Sequence, residues 1–147
     1  MSKKEEAMRL FEEGYNCSQA VALAFAEETG LDKDTLSKVA LSFGGGLGRM
    51  REVCGAVSGM AIVLGLIYGN SAAGLGKAEH YARVQELARK FEAENGSIVC
   101  RELLGLSGHS APTPEARTPE FYKKRPCVEL VGLAAELLEN YIATNKI

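Results

Sequence analysis

The sequence predicts an all-α fold: a compact single-domain bundle of five to six helices around a glycine-rich central helix. Apolar residues recur at helical spacing in several segments, whereas β-branched residues are scattered and alternation with a period of two never lasts. The chain has 147 residues, of which 46% are hydrophobic and 24% are charged. This size and composition are typical of one globular core, so we expect residues 1–147 to form one domain.

The first two predicted helices follow each other closely. The segment Lys3–Glu13 places apolar residues on one face, and Gly14 ends it. Asn16 is a favourable N-cap with Gln19 three residues later, so a second helix should run from Cys17 to a stop at Gly30. This arrangement places the first cysteine in the first turn of a helix.

The next segment leads to the glycine-rich helix. Asp32 or Asp34 should cap a short helix, and GGGLG at Gly44–Gly48 then breaks the chain into a loop. The run VCGAVSGMAIVLGLIYG at Val53–Gly69 follows as the central helix, with Cys54 close to its start. We expect the loop to bring Cys54 into position.

The absence of charge from Val53 to Gly76 raises the question of a membrane span. These 24 residues contain six glycines and an Asn70-Ser71 turn signal, which limit the strongly apolar part to about Val53–Tyr68. A spanning helix needs about 20 apolar residues. The sequence therefore favours a helix buried inside the bundle and predicts no membrane span.

The second half of the chain alternates helices with one conspicuous loop. Gly76–Asn95 is the most regular amphipathic segment, and Ser97 should then cap a short helix with Cys100 in its first turn. Three of the four prolines fall in the loop Gly105–Glu120, which we expect to be mobile or to cover a partner. Pro126 favours a helix start, so the last helix should begin at Cys127.

All four cysteines therefore fall at or near a predicted helix start. The free N–H groups and the positive end of a helix dipole stabilise negative charge, so each thiol should ionise more readily. Basic residues that could add to this effect lie nearby, at Arg49, Arg51, Arg101 and the run Lys123-Lys124-Arg125. The candidate catalytic and metal-binding residues are Cys17, Cys54, Cys100 and Cys127.

Three interpretations of these cysteines stay open. They pair in space and pass two electrons to or from a partner by thiol–disulfide exchange. Alternatively, three or four thiolates hold zinc or an iron–sulfur cluster. In the third interpretation they are small buried hydrophobic residues with no chemistry and no cofactor. No CxxC motif occurs, so the fold has to assemble any common site.

The small residues of the central helix have a packing interpretation that fits a cysteine site. Gly55 and Gly59 lie four residues apart, and with Ala56 they form part of a smooth flank. Such a flank lets a neighbouring backbone come close, as bridged cysteines require. Tight packing in a crowded helical core explains the same spacing.

Charge and the N-terminal segment limit the classes of partner. The net charge is −2 and no basic cluster exceeds the triplet at 123–125, so a nucleic-acid partner is not expected. The first 14 residues are charged throughout and show no apolar export signal. We therefore expect a cytoplasmic protein, in which four thiols favour redox or metal chemistry over structural disulfides.

The motifs resemble a known family. CGAVSG at Cys54–Gly59, NCSQAV at Asn16–Val21 and the later Cys100 and Cys127 resemble the redox-active proteins named for a Cys, CGAxxG or GCAxxG, Cys, Cys pattern. GYNCSQAV, FGGGLG and VLGLIYG resemble its surroundings, and the resemblance covers about Met8 to Cys127.

The resemblance implies a small helical cytoplasmic protein of bacteria or archaea with a redox or metal-cluster role. It maps the defining cysteines onto Cys17, Cys54, Cys100 and Cys127, and the small motif residues onto Gly55, Ala56 and Gly59, our candidates for cofactor contact. A similar domain occurs in multidomain redox proteins that bind an iron–sulfur centre.

Our leading hypothesis is an oxidoreductase or electron carrier that acts with a redox partner protein. Its cysteines, centred on Cys54, bind an iron–sulfur cluster or zinc or, failing that, act as thiol–disulfide pairs. The alternative is a non-catalytic module that binds a transporter or redox partner through Gly105–Glu120 and its apolar helices. A further alternative is a homo-oligomer in which the small-residue face of the central helix lies at the subunit interface.

Overall fold

The computed structural model describes residues 1–146, except for the side chain of Lys124, and the predicted domain's last residue, Ile147, lies outside it. The described residues are mainly helical. Their nine helices are α1 (Lys3–Glu12), α2 (Cys17–Ala24), α3 (Ala26–Thr29), α4 (Lys33–Leu41), α5 (Gly55–Tyr68), α6 (Lys77–Asn95), α7 (Cys100–Leu104), α8 (Pro119–Lys124) and α9 (Cys127–Thr144).

The all-α prediction is confirmed, but the expected count of five to six helices is too low. The chain leaves regular helical geometry at Phe25, so the predicted helix from Cys17 to Gly30 is divided into α2 and α3. The predicted short helix with Cys100 forms as α7, and α8 adds a helix of six residues to the count. Short helices carry little amphipathic pattern, so periodicity identifies a helix such as α8 poorly.

Local capping fixes where the helices near the site begin. The Asn16 side chain accepts a hydrogen bond from the backbone N–H of Gln19, and the Gln19 side chain accepts one from the N–H of Asn16. This reciprocal cap starts α2 at Cys17, as predicted. Asp32 caps α4 through the N–H of Thr35.

The core is formed mainly by α1, α2, α5 and α9. Helix α1 packs along α9, and α2 contacts α1, α4, α5 and α9. Large side chains such as Phe25, Met60 and Leu138 are fully buried between these helices. None of the helices in the described part of the chain is both long and apolar enough to cross a membrane.

Two glycines of α5 allow it to approach α2 closely. A Cβ at Gly55 would lie 3.1 Å from the Cβ of Cys17, and a Cβ at Gly59 would lie 2.9 Å from the carbonyl oxygen of Ser18. Both distances are shorter than ordinary van der Waals contact. The small face therefore brings α2, and with it Cys17, against the start of α5.

A short antiparallel contact connects the segments that precede α5 and α7. Val53 and Val99 form an isolated β-bridge, and the N–H of Cys54 donates to the carbonyl of Ile98 at 2.7 Å. The N–H of Cys100 donates to the carbonyl of Glu52. This pairing places two cysteines, distant in sequence, side by side.

Candidate functional site

The structure places every cysteine at a helix start. Cys17, Cys100 and Cys127 are the first residues of α2, α7 and α9, and Cys54 immediately precedes α5. The four thiols are free, and each lies near enough to others for its ionisation to be affected by theirs. The fold therefore brings together residues that span most of the chain.

Cys17 and Cys127 are the two thiols that influence each other most. Hydrogen bonding between them lowers the pKa of Cys127 and raises the pKa of Cys17 well above that of an ordinary cysteine. The surroundings explain why the pKa is lowered at Cys127 and not at Cys17, because positive charges on Arg125, Arg51 and Arg117 also favour a thiolate at Cys127. Cys127 is accordingly the acceptor and Cys17 the donor.

Cys54 and Cys100 are buried, as Cys127 is. Burial raises the pKa of Cys54 to about 12, although the N–H groups of Ala56 and Val57 act in the opposite direction. Burial also raises the pKa of Cys100, against the effect of Arg51, whose Nη1 donates to the Cys100 Sγ at 3.6 Å. Both thiols are therefore predominantly protonated near neutral pH.

The prediction that each helix start makes its thiol more acidic is wrong for three of the four cysteines. The pKa values of Cys17, Cys54 and Cys100 are raised, and only that of Cys127 is lowered. Burial disfavours the charged form of a thiol; it outweighs the helix-start N–H groups at Cys54 and the effect of Arg51 at Cys100. Cys127 differs because a hydrogen-bond donor and several guanidinium groups face it.

The glycine-rich loop 42–52 places two arginines in a conformation that side chains rarely adopt. Arg49 and Arg51 have φ values of 66° and 61°, in the left-handed region, and glycines before them share this region. Such a conformation is costly for a residue with a Cβ and persists where surrounding contacts impose it. The contacts here include the bond from the Arg51 N–H to the carbonyl of Gly45.

A cavity of about 390 Å³ opens beside the Cys17–Cys127 pair. Its polar lining includes four arginines and one carboxylate, and its apolar lining comes from phenylalanine, leucine and proline side chains. The polar and sulfur-bearing residues are Asn16, Cys17, Cys127, Arg49, Arg51, Arg117, Arg125 and Glu115. Both cysteines of this pair therefore line the cavity, but Cys54, Cys100, Gly55, Ala56 and Gly59 do not.

The segment 105–118 closes one side of the cavity and is tied down by arginines. Arg49 donates to the carbonyls of Ala111 and Thr113, and Arg51 Nε donates to the Ser110 hydroxyl at 2.8 Å. Glu115 pairs with Arg125. The loop expected to be mobile or to cover a partner instead lies over the cysteine cavity of its own chain.

Arg117 anchors the end of the same segment. Its guanidinium lies 4.0 Å from the ring centroid of Phe11 and 5.3 Å from that of Phe121. It also donates to the carbonyls of Phe11 and Tyr15. The sequence does not single out Arg117 and Glu115 as site residues, because both are remote in the chain from every cysteine except Cys127. The one available signal is the arginine within the proline-containing loop.

The cysteines do not form a metal site as they are placed. In residues 1–146, no group of three or more His, Cys, Asp or Glu side chains is positioned to hold a metal ion. The thiol of Cys17 interacts most strongly with that of Cys127, while Cys100 accepts from Arg51. The predicted metal-binding roles of the four cysteines remain predictions.

The predicted cofactor contacts of the small residues also remain predictions. In the structure Gly55 and Gly59 face α2, and Ala56 is fully buried. Their described contacts explain why Cys17 lies close to α5. This is the packing interpretation that the sequence offered for a smooth flank.

Comparison with known proteins gives one family match and one distant relative. Residues 15–141 match the family described as "Putative redox-active protein (C_GCAxxG_C_C)". An uncharacterized protein of Archaeoglobus fulgidus is 28% identical over 144 residues, covering 91% of this chain and 89% of the relative. No solved structure matches the chain.

Proposed function

Because the chain belongs to the C_GCAxxG_C_C family of redox-active proteins, we propose that it is a dithiol–disulfide oxidoreductase or electron carrier whose working pair is Cys17 and Cys127. One observation carries the proposal: Cys17 and Cys127 line the same cavity, which neither of the other cysteines does, and their thiols influence each other's ionisation strongly. A disulfide requires its two cysteines to approach closely. Two interacting thiols that line one cavity are placed for such an approach.

The two cysteines have different parts in the exchange. The Cys127 thiolate attacks one sulfur of an oxidised partner, RS–SR, forming a mixed disulfide and releasing RS⁻. Cys17 then loses its proton and attacks the Cys127 sulfur, which breaks the mixed disulfide and releases the second RS⁻. Two electrons pass to the partner, which leaves as two thiols once protonated, and the protein retains a Cys17–Cys127 disulfide.

The surroundings suit Cys127 to the first step. The thiolate is the nucleophile in disulfide exchange, and the arginines together with the Cys17 thiol favour it. Once Cys127 is bonded to the partner's sulfur, the interaction with Cys127 that raises the pKa of Cys17 is lost, so Cys17 ionises more readily and its thiolate can attack. Cys54 and Cys100, which do not line the cavity, stay reduced in this proposal, and a cytoplasmic setting would keep them so.

The test counts thiols before and after mild oxidation. The reduced protein has four, and we expect oxidation to remove two of them and reductant to restore them. Peptide mapping by mass spectrometry should join the Cys17 and Cys127 peptides. Cys54→Ser and Cys100→Ser, as matched controls, should still lose two thiols, whereas Cys17→Ser and Cys127→Ser should form no internal bridge. A stable count of four, or a bridge at Cys54, would contradict the proposal.

An iron–sulfur cluster or zinc site is the second candidate, because the four thiols converge enough to affect one another's ionisation. The present placement of the cysteines does not fit such a group, so a cluster would require Cys54 and Cys100 to move toward Cys17 and Cys127. Anaerobic purification with metal analysis and a visible spectrum distinguishes the two. Stoichiometric iron or zinc lost in Cys54→Ser would favour the cluster, and metal-free protein would favour the dithiol.

A further inference from the structure

The cavity beside Cys127 holds more positive charge than the protein neutralises. Four guanidinium groups line it against the single carboxylate of Glu115, an excess of three charges that a Cys127 thiolate reduces to two. The groups are not solvated surface residues. Arg51 is 7% exposed, and the side chains of Arg49 and Arg125 are 16% and 15% exposed.

These arginines repel one another. The positive charges on Arg51 and Arg125, together with burial, lower the pKa of Arg49, while Glu115 acts in the opposite direction. Buried charges are costly unless they are paired. The structure holds Arg49 and Arg51 in left-handed backbone conformations and leaves their charge incompletely paired. This arrangement is suited to an anion supplied from outside.

Donors remain available for such an anion. Among the described residues, Glu115 is the partner of Arg125 through Nη2, and Arg51 uses Nε and Nη1 on Ser110 and Cys100. Guanidinium groups carry five N–H donors in a planar fork that matches carboxylate, phosphate and sulfonate oxygens. The remaining N–H groups of Arg51 and Arg125 can therefore bind an acid group.

The rest of the lining favours a small organic molecule over a bare inorganic ion. Phe11, Leu41 and Phe121 contribute apolar surface, and Pro112 and Pro114 contribute rigid loop surface. The volume of about 390 Å³ is within the usual range of small-molecule sites, about 300–1,000 Å³. An acid group on the arginines would place the rest of the ligand beside Cys127.

We propose that the cavity takes a small anionic disulfide, with its acid group bound by Arg51 and Arg125 and its sulfur presented to Cys127. The substrate class rests on the proposed dithiol function; the anion site does not. In the reaction the Cys127 thiolate forms a bond to the near sulfur, the S–S bond breaks, and the anionic thiol leaves. Cys17 closes the protein disulfide and releases the second anionic thiol.

The test compares two disulfides that differ in charge: dithiodiglycolate and its diamide. Each rate of reaction with the reduced protein is divided by the rate with the denatured protein, which corrects for intrinsic reactivity. We expect the corrected rate to be roughly tenfold higher for the anion, the scale of one charge-assisted hydrogen bond. Arg125→Gln should lose this preference. The control Arg89→Gln removes an exposed charge from α6 and should keep it.

A second measurement separates the anion site from the disulfide chemistry. Iodoacetate and iodoacetamide alkylate a thiolate with loss of iodide, and they differ in charge. In the Cys17→Ser variant, the alkylation rate of Cys127, corrected by the rate of the denatured protein, should be higher with iodoacetate than with iodoacetamide. Arg125→Gln should abolish this preference. Sulfate should suppress it more than sodium chloride of equal ionic strength. If a Cys17–Cys127 bridge forms equally fast with both disulfides, the inference fails and the proposed function stands. If the charge preference persists without a bridge, the proposed function fails and the anion site stands.

Discussion

Replacing Gly59 by alanine tests whether close packing of α5 on α2 builds the cysteine site. The added Cβ would lie 2.9 Å from the Ser18 carbonyl oxygen and 2.9 Å from the Val21 Cβ. Neither atom is the free end of a flexible side chain, because one belongs to the helix backbone and the other is attached to it. The helices must therefore move apart by several tenths of an ångström.

The cost follows from two opposing effects. Overpacking a close-packed interior costs about 1–3 kcal/mol. Alanine is a better helix former than glycine by up to about 1 kcal/mol. We therefore expect Gly59→Ala to lower the free energy of unfolding by about 1–2 kcal/mol. For a domain of this size the corresponding fall in Tm is roughly 3–6 °C.

Gly65→Ala is the matched control on the same helix. Its nearest atom would be the His80 Nε2 at 3.9 Å, an ordinary contact, so the helix-propensity gain of about 0.5–1 kcal/mol should appear without an opposing cost. Urea unfolding followed by far-ultraviolet circular dichroism measures both variants. The reasoning would be refuted if Gly59→Ala proved as stable as the wild type or rose in stability with Gly65→Ala.

Three further predictions concern the site. Alkylation of Cys127 by iodoacetamide should reach half its maximal rate at a lower pH than for an ordinary thiol. Cys17→Ala should raise that midpoint pH because the Cys127 thiolate loses its hydrogen-bond donor. An unchanged midpoint would contradict the assignment of Cys17 as the donor. Ser18→Ala should leave the free energy of unfolding unchanged or raise it by up to about 1 kcal/mol, since the Ser18 hydroxyl is buried without a hydrogen-bond partner in residues 1–146. A fall of more than about 1 kcal/mol in urea unfolding would contradict this account of the hydroxyl. Arg117→Met should expose the segment 105–118 to limited proteolysis because it removes two bonds to carbonyls and the charge over Phe11; wild-type resistance in this variant would show that Arg117 does not anchor the loop.

Local sequence signals predicted the positions of the cysteines in the helices. Asn16 with Gln19 and Pro126 define two starts through interactions between residues close in sequence, and the structure begins α2 at Cys17 and α9 at Cys127. Ser97 was expected to cap the helix that contains Cys100. Its hydroxyl instead accepts from the N–H of Val99 and donates to Glu102, and the helix begins at Cys100.

The site itself depends on contacts that no local pattern specifies. No local pattern indicates that Cys17 and Cys127 come together, and we expected Cys54 at the centre of the site. In the structure Cys54 is buried and does not line the cavity. Arg51 was expected to act on Cys54 because it precedes it by three residues. In the fold its guanidinium reaches Cys100, because the bridge between Val53 and Val99 turns the two segments together.

The way in which Arg49 holds the loop has an evolutionary consequence. Its guanidinium binds the main-chain carbonyls of Ala111 and Thr113, which every residue type possesses. Pro112 and Pro114 line the cavity, so substitutions at these two prolines can alter its wall while the attachment of the loop through the carbonyls is retained. Such changes are open to selection, and saturation mutagenesis at 112 and 114 should yield folded proteins with an altered cavity wall.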